Sequence, residues 1–264
     1  IRQIENNKEN GRMKTTQTWK IGNCLDLLPE IPDKSIDLIL TDLPYGTTAC
    51  KWDTIIPFEP LWKQYERIIK DNGAIVLTAS QPFTSALVMS NIKMFKYCWV
   101  WDKINRFSGH LNAKKQPLRI TEDIVVFYDK QCVYNPQMKS GVPYIAISKG
   151  NKSTNYGVQA DGVKTVNAGL YYPINLISII GDERGIIGRL HPTQKPIDLF
   201  EYLIKTYTNE GDTVHDSCLG SGTTLEACAN LNRNCIGFEL LHDWEEHYRK
   251  RLRLDNTKLD AWTT

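Results

Sequence analysis

The feature that most constrains this chain is a rhythm along its length. Short apolar runs rich in β-branched residues alternate with longer segments whose apolar residues recur every three or four positions. The short runs, at 18–21, 36–41, 74–78, 97–101, 124–128, 213–216 and 235–239, are predicted strands. The longer ones, at 58–70, 81–92, 196–207, 222–232 and 242–254, carry helical spacing. Asn72-Gly73 and Asn209-Glu210-Gly211 read as helix stops before the next strand. Alternation of this kind predicts an α/β fold, a mostly parallel sheet with helices on both faces. The rhythm fails between about 131 and 190, where Asn, Gly, Ser, Tyr and Lys dominate. A structureless loop of that length is uncommon inside a compact domain, so an inserted recognition region is expected there. The expected division is 13–130, 131–190 and 191–264, with residues 1–12 an upstream-derived tail and Met13 the natural start.

A length of 264 residues, with 41% hydrophobic and 23% charged residues, suits one large α/β domain carrying an insertion. No apolar run approaches the roughly 20 residues of a membrane span, and no secretory h-region appears near the start of the given sequence, so no membrane partner is expected. The seven cysteines form no C-x-x-C pair. Their odd number and lack of metal-ligand spacing predict reduced thiols in a cytoplasmic protein, with neither a disulfide framework nor a metal site.

Four stretches can carry chemistry. In LILTDLPYGTTACKWD (38–53) an apolar strand ends on Asp42-Leu43-Pro44-Tyr45, which reads equally as a strand followed by an ordinary turn. In TVHDSCLGSGTTLEACANLNRNCIGFEL (213–240) a strand reaches Asp216, a Gly220-Ser221-Gly222 turn follows, and a helix begins near Thr223. The glycines permit close backbone approach to a ligand, and the helix start offers free amides. Glu239, at the end of the following strand, is placed to accept two ribose hydroxyls. A core βαβ turn is the plainer reading. The incomplete G-x-G-x-x-G pattern favours a nucleoside over a dinucleotide. HPTQKP (191–196) opens a helix at Pro196, and Lys195 there could hold a carboxylate. The row KINRFSGHLNAKKQPLR (103–119) carries Lys103, Arg106, Lys114, Lys115 and Arg119, plus His110, and no acid. Either it is a solvated loop or it contacts phosphates.

Taken in this order, these pieces resemble the beta-type, S-adenosylmethionine-dependent DNA amino-methyltransferases. In that family a D-P-P-Y target-base motif precedes a recognition region and a C-terminal F-x-G-S-G-T-T cofactor motif. The matching residues are Asp42-Leu43-Pro44-Tyr45, then His191 to Pro196, then Cys218-Leu219-Gly220-Ser221-Gly222-Thr223-Thr224. The lead-in GNCLDLLPEIPDKSIDLIL and the segment LRITEDIVVFY also resemble family blocks. The likeness covers roughly 14–130 and 190–254. Leu43 stands where Pro is usual, Cys218 where Phe is common, and Asn23 where an acid is frequent.

The resemblance implies a Rossmann-like, circularly permuted methyltransferase fold and S-adenosylmethionine as cofactor. It implies the cofactor adenine near Asn23 and Cys24, the ribose on Glu239, and the methionine half near Thr193, Lys195, Asp216, Cys218, Gly220, Ser221, Gly222 and Thr223. It further implies that Asp42 and the Leu43 carbonyl accept from a target amino group, with Pro44 shaping the turn and Tyr45 stacking on an extruded base. Double-stranded DNA is the implied partner, held through Lys103, Arg106, Lys114, Lys115 and Arg119. A homodimer and a cognate restriction endonuclease are compatible further partners. An acid at the first motif position favours adenine N6 as target, with cytosine N4 the alternative. A catalytically silent, nucleic-acid-binding subunit is the rival from another class.

Overall fold

The computed structural model describes residues 2–6, 15–48, 50, 52–150, 152–153, 155, 157–158, 160–181 and 194–252. In chain order the elements open with β1 (Arg2–Asn6), β2 (Thr15–Ile21), α1 (Cys24–Leu27), β3 (Ile36–Thr41), α2 (Phe58–Ile68) and β4 (Ile69–Ala79). Next come α3 (Phe83–Ser90), β5 (Phe95–Asp102) and β6 (Thr121–Phe127). An insertion holds β7 (Lys139–Ser140), β8 (Tyr144–Ile147), β9 (Lys152–Ser153), β10 (Gly157–Val158), β11 (Lys164–Asn167) and β12 (Leu170–Tyr171). The chain then forms β13 (Leu176–Ser178), α4 (Ile197–Tyr207), β14 (Thr213–Asp216), α5 (Thr223–Asn230), β15 (Asn234–Glu239) and α6 (Glu245–Arg251).

Nine strands make one sheet in the order β1-β2-β15-β14-β3-β4-β6-β5-β13. The run from β2 to β4 is parallel throughout, and β6 enters antiparallel to both β4 and β5. Every residue of β3 is buried, as a central strand covered on both faces requires. Beyond the irregularity between Ile36 and Leu38, its side chains alternate across it. Leu38 and Leu40 join one core layer with Leu199, Leu203 and Leu225 from α4 and α5. Ile36 and Ile39 join the other, with Leu61, Tyr65 and Leu87 from α2 and α3. The α/β expectation is therefore met, with helices on both faces.

The chain runs outward from β3 to β4 on one side, whereas β14 to β15 runs outward on the other. The adjacent carboxyl ends of β3 and β14 thus flank a topological switch point, where open α/β sheets bind ligands. Asp42 follows β3 directly, and Asp216 closes β14.

Three readings change. Asn72-Gly73 does not end a helix, because α2 stops at Ile68 and β4 begins at once. The pairing of β4 with β3 slips between Ile69 and Ala74. There a Cβ on Gly73 would lie 2.8 Å from the Asp37 carbonyl, so the bulge needs glycine. Residues 2–6, expected within a tail, pair antiparallel with β2 as an edge strand. The inserted unit, Pro136–Ile174, is narrower than 131–190, since Asn135 bonds α4 through Thr206 and β13 joins the main sheet. Within the unit, β7 pairs with β12, β8 with β11 and β9 with β10, all antiparallel. This nesting makes the unit one long, interrupted hairpin.

Candidate active site

A cleft of about 1070 Å³ lies along the carboxyl edge of the main sheet. Gly22, Asn23, Glu239 and Trp244 line it at one end, and Asp42, Tyr45, Phe107 and Arg119 at the other.

The opening motif forms the second end. Leu43, in the position usually held by Pro, buries its side chain in the core layer of Ile39 and Phe83. The loop is thereby anchored by packing. The Asp42 carboxylate is held by three donors. Tyr45 Oη donates to Oδ1 at 2.8 Å and lies 3.0 Å from Thr78 Oγ1, which also donates to Oδ1. Lys195 Nζ donates to Oδ2 at 2.7 Å. Lys195 is only 8% exposed. Burial alone would lower its pKa, but Asp42, Tyr45 and Glu122 outweigh that and hold it well above the usual lysine value. It stays an ammonium. Glu122 Oε2 lies 3.5 Å from Lys195, and its other oxygen pairs with Lys103.

Tyr45 stacks on Phe83, with centroids 5.2 Å apart and planes inclined by 23°, and Lys195 Nζ lies 5.5 Å from its ring centre. Burial raises the Tyr45 pKa well above its ordinary value, so it remains a phenol donor. After the motif, Asp53 accepts from the amides of Gly46, Thr47 and Thr48 at 2.8, 2.9 and 2.7 Å. That carboxylate latches the loop bordering the cleft.

The glycine-rich turn builds the first end. Gly222 has φ +81°, and a Cβ there would stand 2.6 Å from the Tyr248 ring; both facts demand glycine. Tyr248 in turn donates to the Gly220 carbonyl at 2.9 Å. Glu239 accepts from the Gly220 amide through Oε2 at 2.7 Å and from the Leu241 amide through Oε1 at 2.9 Å. Burial raises its pKa. Asp216 accepts from the Cys218 amide at 2.9 Å and from the Thr224 hydroxyl, and burial pushes it up to about 7. Ser221 lies near Thr223 and Arg251, and Thr223 donates to the Lys195 carbonyl at 3.3 Å. The HPTQKP segment and the glycine-rich turn are therefore neighbours.

Several expected residues take other partners. Lys195, expected beside the cofactor, grips Asp42 instead. Lys103, expected on phosphate, is ion-paired with Glu122 and its side chain is 14% exposed. Asn23 uses its side-chain oxygen to cap α1, accepting from Leu25 at 3.0 Å. Cys24 and Cys218 both line the cleft, and Cys218 lowers the pKa of the Cys24 thiol. Arg106, Lys114, Lys115 and Arg119 are exposed on the loop between β5 and β6. Thr193, with His191 and Pro192, lies outside the described residues. Among the described residues, no three His, Cys, Asp or Glu side chains gather as a metal site would require. No described helix is long and apolar enough to cross a membrane. The sequence reading missed Thr78, Glu122, Asp53 and Phe83. One signal was present for Glu122: an acid inside the strand-forming run TEDIVVF.

The N6_N4_Mtase family model, described as DNA methylase, matches residues 36–250. The chain belongs to this family of S-adenosylmethionine-dependent N6/N4 DNA methyltransferases. Among curated relatives, it is 25% identical over 238 residues to the type II methyltransferase M1.MboII of Moraxella bovis, covering 83% of this chain and 89% of the relative. It is likewise 25% identical over 255 residues to M.HpaI of Haemophilus parainfluenzae, covering 90% and 75% respectively. Among solved structures, the M1.HpyAVI–SAM complex superposes with a TM-score of 0.60 at 24% identity, covering 90% of this chain and all of that one. The PvuII cytosine-N4-specific DNA methyltransferase gives 0.63 at 18% identity, covering 91% and 87%. At these identities the solved structures establish the fold.

Proposed function

We propose that this protein methylates the exocyclic N6 of adenine in duplex DNA, at a specific sequence, after extruding the target base. The observation that carries the reading is the placement of the Asp42 carboxylate. The group is held by Lys195, Tyr45 and Thr78 at one end of a cleft whose other end carries Glu239. An exocyclic amino nitrogen is a poor nucleophile because its lone pair is delocalised into the ring. An acceptor drawing on its hydrogens restores nucleophilicity, and an acid at this position supports adenine as the target.

The cleft fits the family's cofactor. Glu239 keeps a lone pair on each oxygen beyond those used by Gly220 and Leu241, as a ribose diol needs. A Cβ on Gly220 would meet nothing within 4 Å, so that stretch of the cradle is open. Glu239 and the Asp216–Thr223 turn would hold the nucleoside and methionine parts. S-adenosylmethionine, when bound, supplies an electrophilic methyl group on a sulfonium.

The remaining work belongs to the chain's own residues. Asp42 and the Leu43 carbonyl accept from the amino hydrogens and aim the nitrogen lone pair along the cleft, so the rate rests chiefly on orientation. Tyr45, backed by Phe83, offers a stacking surface that returns about 1–3 kcal/mol against an extrusion cost of a few kcal/mol. Arg106, Lys114, Lys115 and Arg119 neutralise phosphates, whereas the Lys103 charge is spent on Glu122. Sequence discrimination is assigned to 131–190, whose nested hairpin is the kind of two-stranded ribbon a major groove admits. The relatives' designation as type II methyltransferases supports a place in a restriction–modification pair.

The test is mass spectrometry of nucleosides from duplex DNA incubated with the protein and isotopically labelled cofactor. Labelled N6-methyladenine is expected. Labelled N4-methylcytosine alone would move the target to cytosine, and an absence of labelled nucleosides would overturn the reading.

A further inference from the structure

Asp42 does not stand alone. Asp42, Lys195, Glu122 and Lys103 form a line of alternating charge that links the β3 loop, the segment before α4, the strand β6 and the end of β5. Lys195 is the buried member, its ammonium lying between Asp42 Oδ2 at 2.7 Å and Glu122 Oε2 at 3.5 Å. Glu122 Oε2 is itself shut off from solvent and makes no hydrogen bond, so it serves Lys195 by charge alone. An ammonium buried this deeply persists only when opposite charges compensate its lost hydration.

The occupancy of the carboxylate gives this line a purpose. Each carboxylate oxygen offers two lone pairs. Two hydroxyls, Tyr45 Oη and Thr78 Oγ1, converge on Asp42 Oδ1. Among the described residues only Lys195 donates to Oδ2. Among the described residues this leaves a substrate hydrogen the second lone pair of Oδ2, on the oxygen that Lys195 holds.

We infer that Lys195 and Glu122 are positioning residues for the methyl-transfer reaction: Lys195 clamps the charged Asp42 carboxylate so that Oδ2 presents its free lone pair to the target amino group, and Glu122 holds Lys195 in place. This deepens the proposed function and rests on it. It also reassigns Lys195, whose ammonium donates to Asp42 Oδ2 and is neutralised there by Asp42 and Glu122, away from the role of holding a cofactor carboxylate.

The test is a double-mutant cycle read by single-turnover methyl transfer at saturating cofactor, with cofactor affinity measured by calorimetry on the same preparations. Lys195→Met should slow transfer by ~10²-fold, the scale on which small misplacements act, and leave the cofactor Kd within about threefold. In the Asp42→Asn background the same change should cost less than about threefold, because a residue acting through Asp42 has nothing left to position. Lys195→Arg, which keeps the charge and a donor, should recover part of the rate. Should Lys195→Met fail to fold, Glu122→Gln repeats the cycle with a smaller effect, a loss of about fivefold to tenfold that vanishes in the Asp42→Asn background. Additive losses, or a cofactor Kd weakened at least about tenfold with the saturating rate unchanged, would overturn the inference alone. A wild-type protein inactive on all duplex DNA would overturn the function beneath it as well.

Discussion

Each oxygen of Glu239 already holds one backbone amide, and the lone pairs that remain are what a ribose diol would use. Replacing Glu239 with Ala removes a charged acceptor worth about 1.5–3 kcal/mol per hydrogen bond. Calorimetry should then show S-adenosylmethionine binding weakened by at least about tenfold. Unchanged affinity would contradict this placement. Glu239, Asp42 and Gly222 were legible in the sequence because each sits at the end of a strand or in a turn whose local pattern announces it. Thr78, Glu122 and the partner of Lys195 were not. Asp42 meets Thr78 across 36 positions and Lys195 across 153, and no local spacing encodes such pairings. The departure at Leu43 also became intelligible only once its side chain was found buried in the core.

Among the elements, β14 carries a chain of buried hydrogen bonds beneath the site. Tyr65 Oη of α2 donates to Ser217 Oγ at 2.8 Å, and Ser217 Oγ lies 2.9 Å from His215 Nε2. His215 Nδ1 lies 2.9 Å from the Ile236 carbonyl, which only a protonated Nδ1 can satisfy. Burial favours the neutral imidazole, and in that form Nε2 accepts from Ser217. Burial lowers the His215 pKa from 6.5 to about 4, so its contribution to stability is complete above pH 6.5 and drains away as pH falls towards 4. Asp216, raised by burial from 3.8 to about 7, acts oppositely: its contribution is complete below pH 3.8 and drains away as pH rises towards 7. The two oppose each other between pH 4 and 6.5, so the parent conceals both. In His215→Asn the histidine contribution is gone. Its stability relative to the parent should improve by on the order of 3 kcal/mol as pH falls from 6.5 to 4. Melting temperatures of both proteins across that range check this, and a constant gap would contradict it. The element bounds themselves were readable in the largely buried strands β3 and β14, which match residue for residue. They were misread at Asn72-Gly73, where turn-forming residues serve a bulge over Asp37. The hairpin of the inserted unit was illegible because its strands are two to four residues long and its pairing is nested.

For the whole molecule, a net charge of +2 gives little general attraction to a polyanion, so DNA affinity has to come from placed cations. Replacing Arg106, Lys114, Lys115 and Arg119 together by Ala should weaken binding to all duplexes alike. It should also lower the slope of log affinity against log salt by roughly one unit per contact. Lys103→Ala should leave that slope unchanged, since its charge is held by Glu122. A salt slope unaltered in the fourfold variant would return the loop between β5 and β6 to the status of a solvated surface. The central claim, however, is that the β3 loop exists to present Asp42 to a target amino group. Asp42→Ala tests it, and the molecule should survive the change because Glu122 still compensates Lys195. The decisive measurement is tritiated-methyl incorporation into duplex DNA, with melting temperature and cofactor affinity taken on the same samples. Asp42→Ala should lose incorporation while binding cofactor within about threefold of the parent and melting within a few degrees of it. Full incorporation by a well-folded Asp42→Ala protein would contradict that claim.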